Sequence, residues 1–344
     1  MGVNITEILP MKETSFRALS GKIIVVDASL FLYQFITSIR QPDGALLTDS
    51  HGNVTSHLSG LFSRTTKLMS YGIKLGYVFD GKPPELKRKE RERRDLIKQE
   101  AEAKYKVAVS KGNIEEMRKY ASRTARLTKK MVDESKELLS ALGIPVIQAP
   151  SEAEAQAAHI VKNGDAFALA SQDSDTIMFG TPKLIRNLSL VGKKKKVNAL
   201  AYTSVKPELV ELSEVLNTLG IDQNQLIVLC MLVGTDYNIG GVKGIGPKNA
   251  LKLVKKYNSN FDFLFSDVKW ADFFDTDWTE IFYLIKKMNV SDDYSIVWNK
   301  IDFDRVKEIL VDLHGFSLER IEAVLHKLIK ETEDSKQSSL GDFC

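Results

Sequence analysis

Seven acidic residues, Asp27, Asp80, Glu152, Glu154, Asp173, Asp175 and Asp236, lie just past apolar runs in five stretches: IIVVDAS, GYVFDG, PSEAEA, ALASQDSD and MLVGTDY. Acids placed alike relative to buried segments are expected to converge in space. Carboxylates a few Å apart resist joint ionisation unless cations hold them together. Hard divalent cations take oxygen ligands of this kind, and a pair of them drives phosphate-ester chemistry.

Other residues carry competing readings. Ser151-Glu152-Ala153-Glu154 fits a helix capping box, with Ser151 as N-cap and Glu154 at N3. A cap leaves Glu152 unexplained, so joint ligation accounts for more, and Glu154 could serve both purposes. Asp173-Ser174-Asp175-Thr176 has Ile177 and Met178 where an EF-hand loop needs a ligand and a glycine. It also lacks the spacing of an aspartyl-phosphatase signature, which leaves two ligands on one loop.

The stretch Gly240–Lys248 is dense in glycine, but Pro247 stands where a P-loop needs its lysine, and a helix pattern, not a strand, precedes it. It reads as a tight hairpin between helices whose N–H groups can hold a phosphate beside Lys243 or Lys248, or as an ordinary turn. Tyr33, about one and a half helical turns after Asp27, could stack on a base or simply be buried. None of the five histidines forms a ligand pair of plausible spacing, so a zinc site or a Ser-His-Asp triad has no support.

The acids need elements to position them. Short apolar runs at Lys22–Val26, Leu75–Phe79, Pro145–Gln148, Ala166–Ala170 and Leu184–Ile185 read as strands. Helical patterns fall between them, near Leu58–Met69, Met131–Leu142 and Glu152–Lys162. This alternation predicts an α/β fold with a mainly parallel sheet flanked by helices. Ligands of such sheets bind outside the strands' carboxyl ends, where Asp27, Asp80, Asp173 and Asp175 fall. Beyond Leu200 the chain reads as mostly helical, with one helix over Gln223–Val233 and a flexible polar tail from Glu331.

Charge is uneven. Lys82–Lys130 holds 17 Lys and Arg against 8 Asp and Glu in a chain of net charge +3, so the remainder is acidic. The segment reads as two projecting helices with a turn near Lys111–Asn113. Lys87 and Arg94, seven residues apart, share a helical face that could look into the acidic site. A basic segment beside an acidic centre suggests a polyanionic substrate held by one and cut by the other. Lys193–Lys196 reads as a basic loop or hairpin. Two cysteines, one inside the apolar run LIVLCMLV, point to a reducing compartment, and no apolar stretch is long enough to span a bilayer. Gly2 and Thr6 match a myristoylation pattern that no polybasic anchor follows.

VVDAS, VFDGKPPELK, APSEAEAQAA, ASQDSD, GTDYN and GVKGIGPKNAL, in this order and spacing, resemble the flap endonucleases, structure-specific 5′ nucleases of the XPG superfamily. The resemblance runs from Gly2 to about residue 330 and is closer to archaeal than eukaryotic members. It implies a PIN-like 5′ nuclease core with a helical arch and a helix–two-turn–helix DNA-binding element. The implied division is an N-terminal nuclease region over 1–98, the arch over 82–130, an internal region over 116–258, a helical part over 259–330 and a tail over 331–344.

Carried over by position, the seven acids hold two Mg²⁺, for which Mn²⁺ can substitute, with Asp27, Asp80 and Asp173 catalytic. Lys87 and Arg94 contact the scissile phosphate, and Tyr33 stacks on a flap-end base. Gly241, Lys243, Gly244, Gly246 and Lys248 grip the downstream duplex with K⁺ nearby. Gly2, freed of Met1, sits near the active site, a second reason against lipidation. Gln337, Leu340 and Phe343 resemble the box that binds the sliding clamp, proliferating-cell nuclear antigen, although Cys344 stands where an aromatic is usual.

The resulting expectation is a monomeric, cytoplasmic, Mg²⁺-dependent enzyme of replication and repair that cleaves 5′ flaps at the single/double-strand junction and has 5′-3′ exonuclease activity. Two rivals stand beside it: a 5′ exonuclease on gapped duplexes, and a non-catalytic branched-DNA binder or clamp adaptor, which would gain nothing from acids beside DNA.

Overall fold

The computed structural model describes residues 3, 5–189, 192–195 and 202–341; Gly2, Lys196, Phe343 and Cys344 lie outside this range. Its strands are β1 (Lys12–Glu13), β2 (Ile23–Asp27), β3 (Lys74–Phe79), β4 (Val146–Gln148), β5 (Ala168–Ala170), β6 (Lys183–Arg186), β7 (Gly192–Lys195), β8 (Tyr202–Val205) and β9 (Glu208–Glu211). The main sheet has the order β1-β9-β6-β5-β2-β3-β4. The run from β6 to β4 is parallel, while β9 is antiparallel to β6 and β1 to β9. β7 and β8 form a separate antiparallel hairpin that carries Lys193–Lys195.

Period-two alternation buries the sheet on both faces. In β2, Val25 joins one apolar cluster and Ile24 and Val26 the other. The order of strands reverses between β2 and β5, and the crevice at their carboxyl ends is the switch point where ligands of such sheets bind. Strands β8 and β9 lie in a region expected to be helical. ELVE in β9 puts only Val210 fully in the core, so its apolar signal is weak; pairing with β6, Val210 opposite Leu184, makes it a strand.

The helices are α1 (Ala28–Ser38), α2 (Ser56–Met69), α3 (Arg88–Ser110), α4 (Ile114–Ala121), α5 (Lys129–Ala141), α6 (Ala153–Lys162), α7 (Leu212–Leu219), α8 (Gln223–Val233), α9 (Pro247–Tyr257), α10 (Phe261–Asp267), α11 (Trp278–Lys286), α12 (Phe303–Lys307) and α13 (Leu318–Gly341). In α1 the apolar stripe Phe31, Leu32, Phe35 and Ile36 is buried. Gly60 of α2 lets Phe35 come close, since a Cβ there would lie 2.4 Å from its ring. This packing turns Tyr33 to the other face, where it is half-buried.

Helices α3 and α4 meet at the turn expected near Lys111–Asn113, and Asn113 caps α4 through the Glu116 N–H at 3.1 Å. Helix α8 is apolar on all sides and buried, as its sequence requires. Asp222 and Gln225 close its start with a capping box. Helix α13 runs to Gly341, through the stretch whose polarity predicts a flexible tail. From Glu331 to Gly341 there is no proline, and Glu331, Glu333, Lys336, Gln337 and Leu340 are good helix formers.

Between α11 and α12 the chain wraps the core as an extended strap. Gln156 of α6 donates to the Ser291 carbonyl at 2.8 Å and accepts its N–H at 2.7 Å. The Trp298 indole donates to the Leu75 carbonyl at 2.8 Å. Asn299 passes so close to Gly143, at φ +73°, that a Cβ there would lie 2.2 Å from its carbonyl oxygen. No single helix among the described residues is long and apolar enough to cross a membrane.

Candidate active site

Asp27 ends β2 and opens α1. Its Oδ1 accepts the Leu30 N–H at 3.1 Å, which anchors the carboxylate at a helix N-terminus. Burial, then the neighbouring Asp80 and Asp173, raise its pKa well above the usual carboxylate range.

Asp80 follows β3, and its Oδ1 accepts the N–H of Ala153, first residue of α6, at 2.8 Å. Helix α6 is thus capped from a strand end. The expected box with Ser151 as N-cap does not form: the N-cap is Glu152, with no side-chain cap bond, and Ser151 Oγ donates to the Lys82 carbonyl at 3.2 Å. Asp80 has taken the donor that a local cap would use. Neither glutamate is tied to its own helix end.

Asp173 opens the 3-10 turn Ser174–Phe179 that follows β5. Glu154, Asp173 and Asp175 each present an oxygen within 4.8 Å of the others. Asp175 is buried and its Oδ1 has no hydrogen-bond partner. An unsatisfied buried acceptor costs roughly 1–3 kcal/mol, more if charged. Burial, then Asp173 and Asp236, push Asp175 up to about 7. Burial, then Asp175 and Asp27, raise Glu154 well above its ordinary value. Clustered carboxylates with one orphaned oxygen fit a hard divalent cation.

Asp236 comes from the loop after α8. Asn238, buried beneath it, accepts from Thr235 Oγ1 at 2.7 Å and donates to the Met231 carbonyl at 2.6 Å. Gly241, at φ +62°, lies where a Cβ would come 2.3 Å from the carbonyl carbon of Val233. Backbone this tight admits only glycine.

The basic helix closes the site from above. Lys87 Nζ lies 2.5 Å from Glu152 Oε2 and 3.2 Å from Asp236 Oδ2. Arg94 Nη2 donates to Asp236 Oδ1 at 2.6 Å. Burial opposes the charge on Lys87, but Glu152 and Asp236 outweigh it and hold its pKa above the usual lysine range. Burial likewise opposes the charge on Arg94, and Asp236 and Glu90 outweigh it there. Burial raises Glu152 more than Lys87 lowers it. Lys87, in the 3-10 turn Glu85–Lys87 just before α3, and Arg94 within α3 therefore share Asp236, and Lys87 also pairs with Glu152.

Of the remaining sequence candidates, Tyr33 has its ring 5.4 Å from Lys98 Nζ, a cation–π contact one helical turn past Arg94. Lys243, Gly244, Gly246 and Lys248 are exposed between α8 and α9, whereas Gly241 is buried. Lys248 Nζ is 3.9 Å from Glu7. Gln337 and Leu340 fall in α13, while Phe343 lies outside the described residues. Lys98, Glu90 and Asn238 do not stand out in the sequence. Only Glu90, spaced i,i+4 from Arg94, leaves a readable signal there.

Residues 3–101 match the XPG N-terminal domain and residues 143–236 the XPG I-region. Flap endonuclease 1 of Aeropyrum pernix is 50% identical over 334 residues, covering 96% of this chain and 95% of that one. The structure of flap endonuclease-1 from Methanococcus jannaschii aligns with a TM-score of 0.76 at 39% identity, covering 97% of this chain and 100% of the other. The catalytic core of Rad2, solved in complex with DNA substrate, aligns with a TM-score of 0.70 at 25% identity, covering 95% and 100%.

Proposed function

The chain belongs to the flap endonucleases, nucleases of the XPG family that act in replication and repair, and from that premise we propose how its own residues carry out the reaction. The substrate is branched DNA with a 5′ flap, cut at the single/double-strand junction, and the same centre supports 5′-3′ exonuclease activity. The observation that carries this reading is the meeting of Lys87 and Arg94 with Asp236, above the carboxylates Glu154, Asp173 and Asp175.

Asp27, Asp80, Glu152, Glu154, Asp173, Asp175 and Asp236 would hold two Mg²⁺, or Mn²⁺ in their place. Support comes from their mutual fields: Asp80 and Asp173 act on Asp27, Asp236 on both Glu152 and Asp175, and Asp27 on Glu154. When bound, the metals supply a water of lowered pKa and charge to offset the leaving 3′ oxygen. Lys87 and Arg94 offer charged N–H donors to the non-bridging oxygens of the scissile phosphate. Tyr33 offers a half-buried ring on which a flap-end base stacks.

The exposed turn Lys243–Gly246 and Lys248 take the duplex through its phosphates, with K⁺ beside them, so binding is sequence-tolerant and salt-sensitive. Gln337, Leu340 and Phe343 would engage the sliding clamp. The enzyme would act as a monomer in the cytoplasm.

Incision of a 5′-flap duplex with and without Mg²⁺ tests the reading. The expected product is a released flap of defined length, and a nicked duplex run in parallel separates exonuclease from endonuclease cutting. Asp173→Ala is expected to abolish cleavage while flap binding persists. Wild-type rates from that variant would refute the site.

A further inference from the structure

We infer that Glu90 is a positioning residue for the reaction: its carboxylate fixes which edge of the Arg94 guanidinium faces the carboxylate centre. The inference rests on the reading that Arg94 contacts the scissile phosphate.

Glu90 stands in the first turn of α3, on a helix whose excess charge is positive. An acid there weakens the helix's attraction for a polyanion, so electrostatic steering does not explain it. Nor is it an ordinary surface ion pair. On the same helix Arg88 and Glu92 lie 4.0 Å apart with both side chains 65% exposed, the geometry of a weak solvent-facing contact. Glu90 is 3% exposed and all its contacts are short.

Those contacts form an ordered set. Arg93 grips the carboxylate with two nitrogens, Nε to Oε2 at 2.6 Å and Nη2 to Oε1 at 2.8 Å. This fork fixes the plane of the carboxylate. Oε1 then accepts Arg94 Nε at 2.6 Å. A guanidinium is rigid and planar, so holding Nε sets the direction of its other nitrogens. Nη2 is thereby aimed at Asp236, 2.6 Å away. Arg93 orients Glu90, and Glu90 orients Arg94.

Without Glu90 the Arg94 side chain keeps its charge and its reach but loses its fixed edge. A double-mutant cycle on single-turnover incision of a 5′-flap duplex separates this role from mere stability, with melting curves recorded for every variant. Glu90→Gln, which preserves volume, is expected to slow incision about 10- to 100-fold. Flap-DNA binding should be unchanged or tighter, since a negative charge is lost. In an Arg94→Ala background the same change should alter the rate less than about twofold. Glu90→Ala provides a second variant with the same expected pattern.

Equal slowing by Glu90→Gln in the presence and absence of Arg94 would overturn the inference, as would an unchanged rate in the wild-type background. If Arg94→Ala alone cuts normally, the assignment of Arg94 falls, and the inference built on it falls too.

Discussion

Arg94 on α3 and Asp236 after α8 are 142 positions apart in the chain, yet their side chains meet at 2.6 Å. Lys87 reaches the same carboxylate at 3.2 Å. Removing that carboxylate by Asp236→Ala should therefore act twice. Incision should fall by at least about 100-fold through loss of a proposed metal ligand and of preorganised charge. The α3 helix should also lose its tether and be cleaved faster under limited proteolysis. A variant that cuts poorly but leaves α3 as protease-resistant as before would mean that the ion pairs do not anchor it.

Metal binding should be visible without any substrate. Glu154, Asp173 and Asp175 repel one another, and Asp175 Oδ1 lacks a donor. A cation that binds only the folded chain stabilises it by mass action. Saturating Mg²⁺ should raise Tm by about 5 °C in the wild type and by much less in Asp175→Asn. Identical shifts in the two proteins, measured by calorimetry after chelation and re-addition, would place the metal elsewhere.

The glycine loop offers a paired comparison. Gly244 has φ +85° with nothing within 4 Å of where a Cβ would sit, whereas Gly241 has φ +62° and would meet backbone at 2.3 Å. Gly244→Ala should cost about 1–2 kcal/mol from the left-handed backbone alone. Gly241→Ala should cost about 3 kcal/mol or more and weaken duplex binding, because the α8–α9 turn must open. Urea titrations of the two variants give the difference directly, and equal midpoints would contradict the packing described.

A buried histidine sets an acid limit to stability. His57 Nε2 lies 3.0 Å from Glu134 Oε2, and His314 spans Glu134 at 3.4 Å and Asp49 at 3.1 Å. Burial, then His314 and Lys130, lower the His57 pKa from 6.5 to about 4. The folded chain keeps this ring neutral, while the unfolded chain takes up a proton near pH 6.5. Its contribution is intact above pH 6.5 and lost as pH falls toward 4, on the order of 3 kcal/mol in all. Tm should drop across that window, and less steeply in His57→Gln. Parallel slopes for the two proteins would show that another group is responsible.

The sequence exposed the acids because each follows an apolar run, and β2, β3 and β5 do end where Asp27, Asp80 and the Asp173 loop begin. Local pattern was enough there, since strand and acid are adjacent in the chain. It misled at α6, where Ser151 and Glu154 carry the letters of a cap but Asp80, 73 residues away, supplies it. It was silent on β9, which is held by pairing with β6 and not by its own apolar content. The contact of Lys98 with Tyr33 was equally hidden, because it joins two helices across the site. What a residue does through a distant partner leaves little trace in its own neighbourhood.

The strap between α11 and α12 has a consequence for how the chain can be divided. Gln156 lies two residues past Glu154 on α6, and both hydrogen-bonding ends of its amide are satisfied by the backbone of Ser291. The late helices are therefore not an appendage that could be shed from an otherwise complete nuclease. A chain stopped before Ser291 would retain all seven of the acids Asp27, Asp80, Glu152, Glu154, Asp173, Asp175 and Asp236. It would have lost the buckle that holds the helix that carries Glu154 and starts from Glu152.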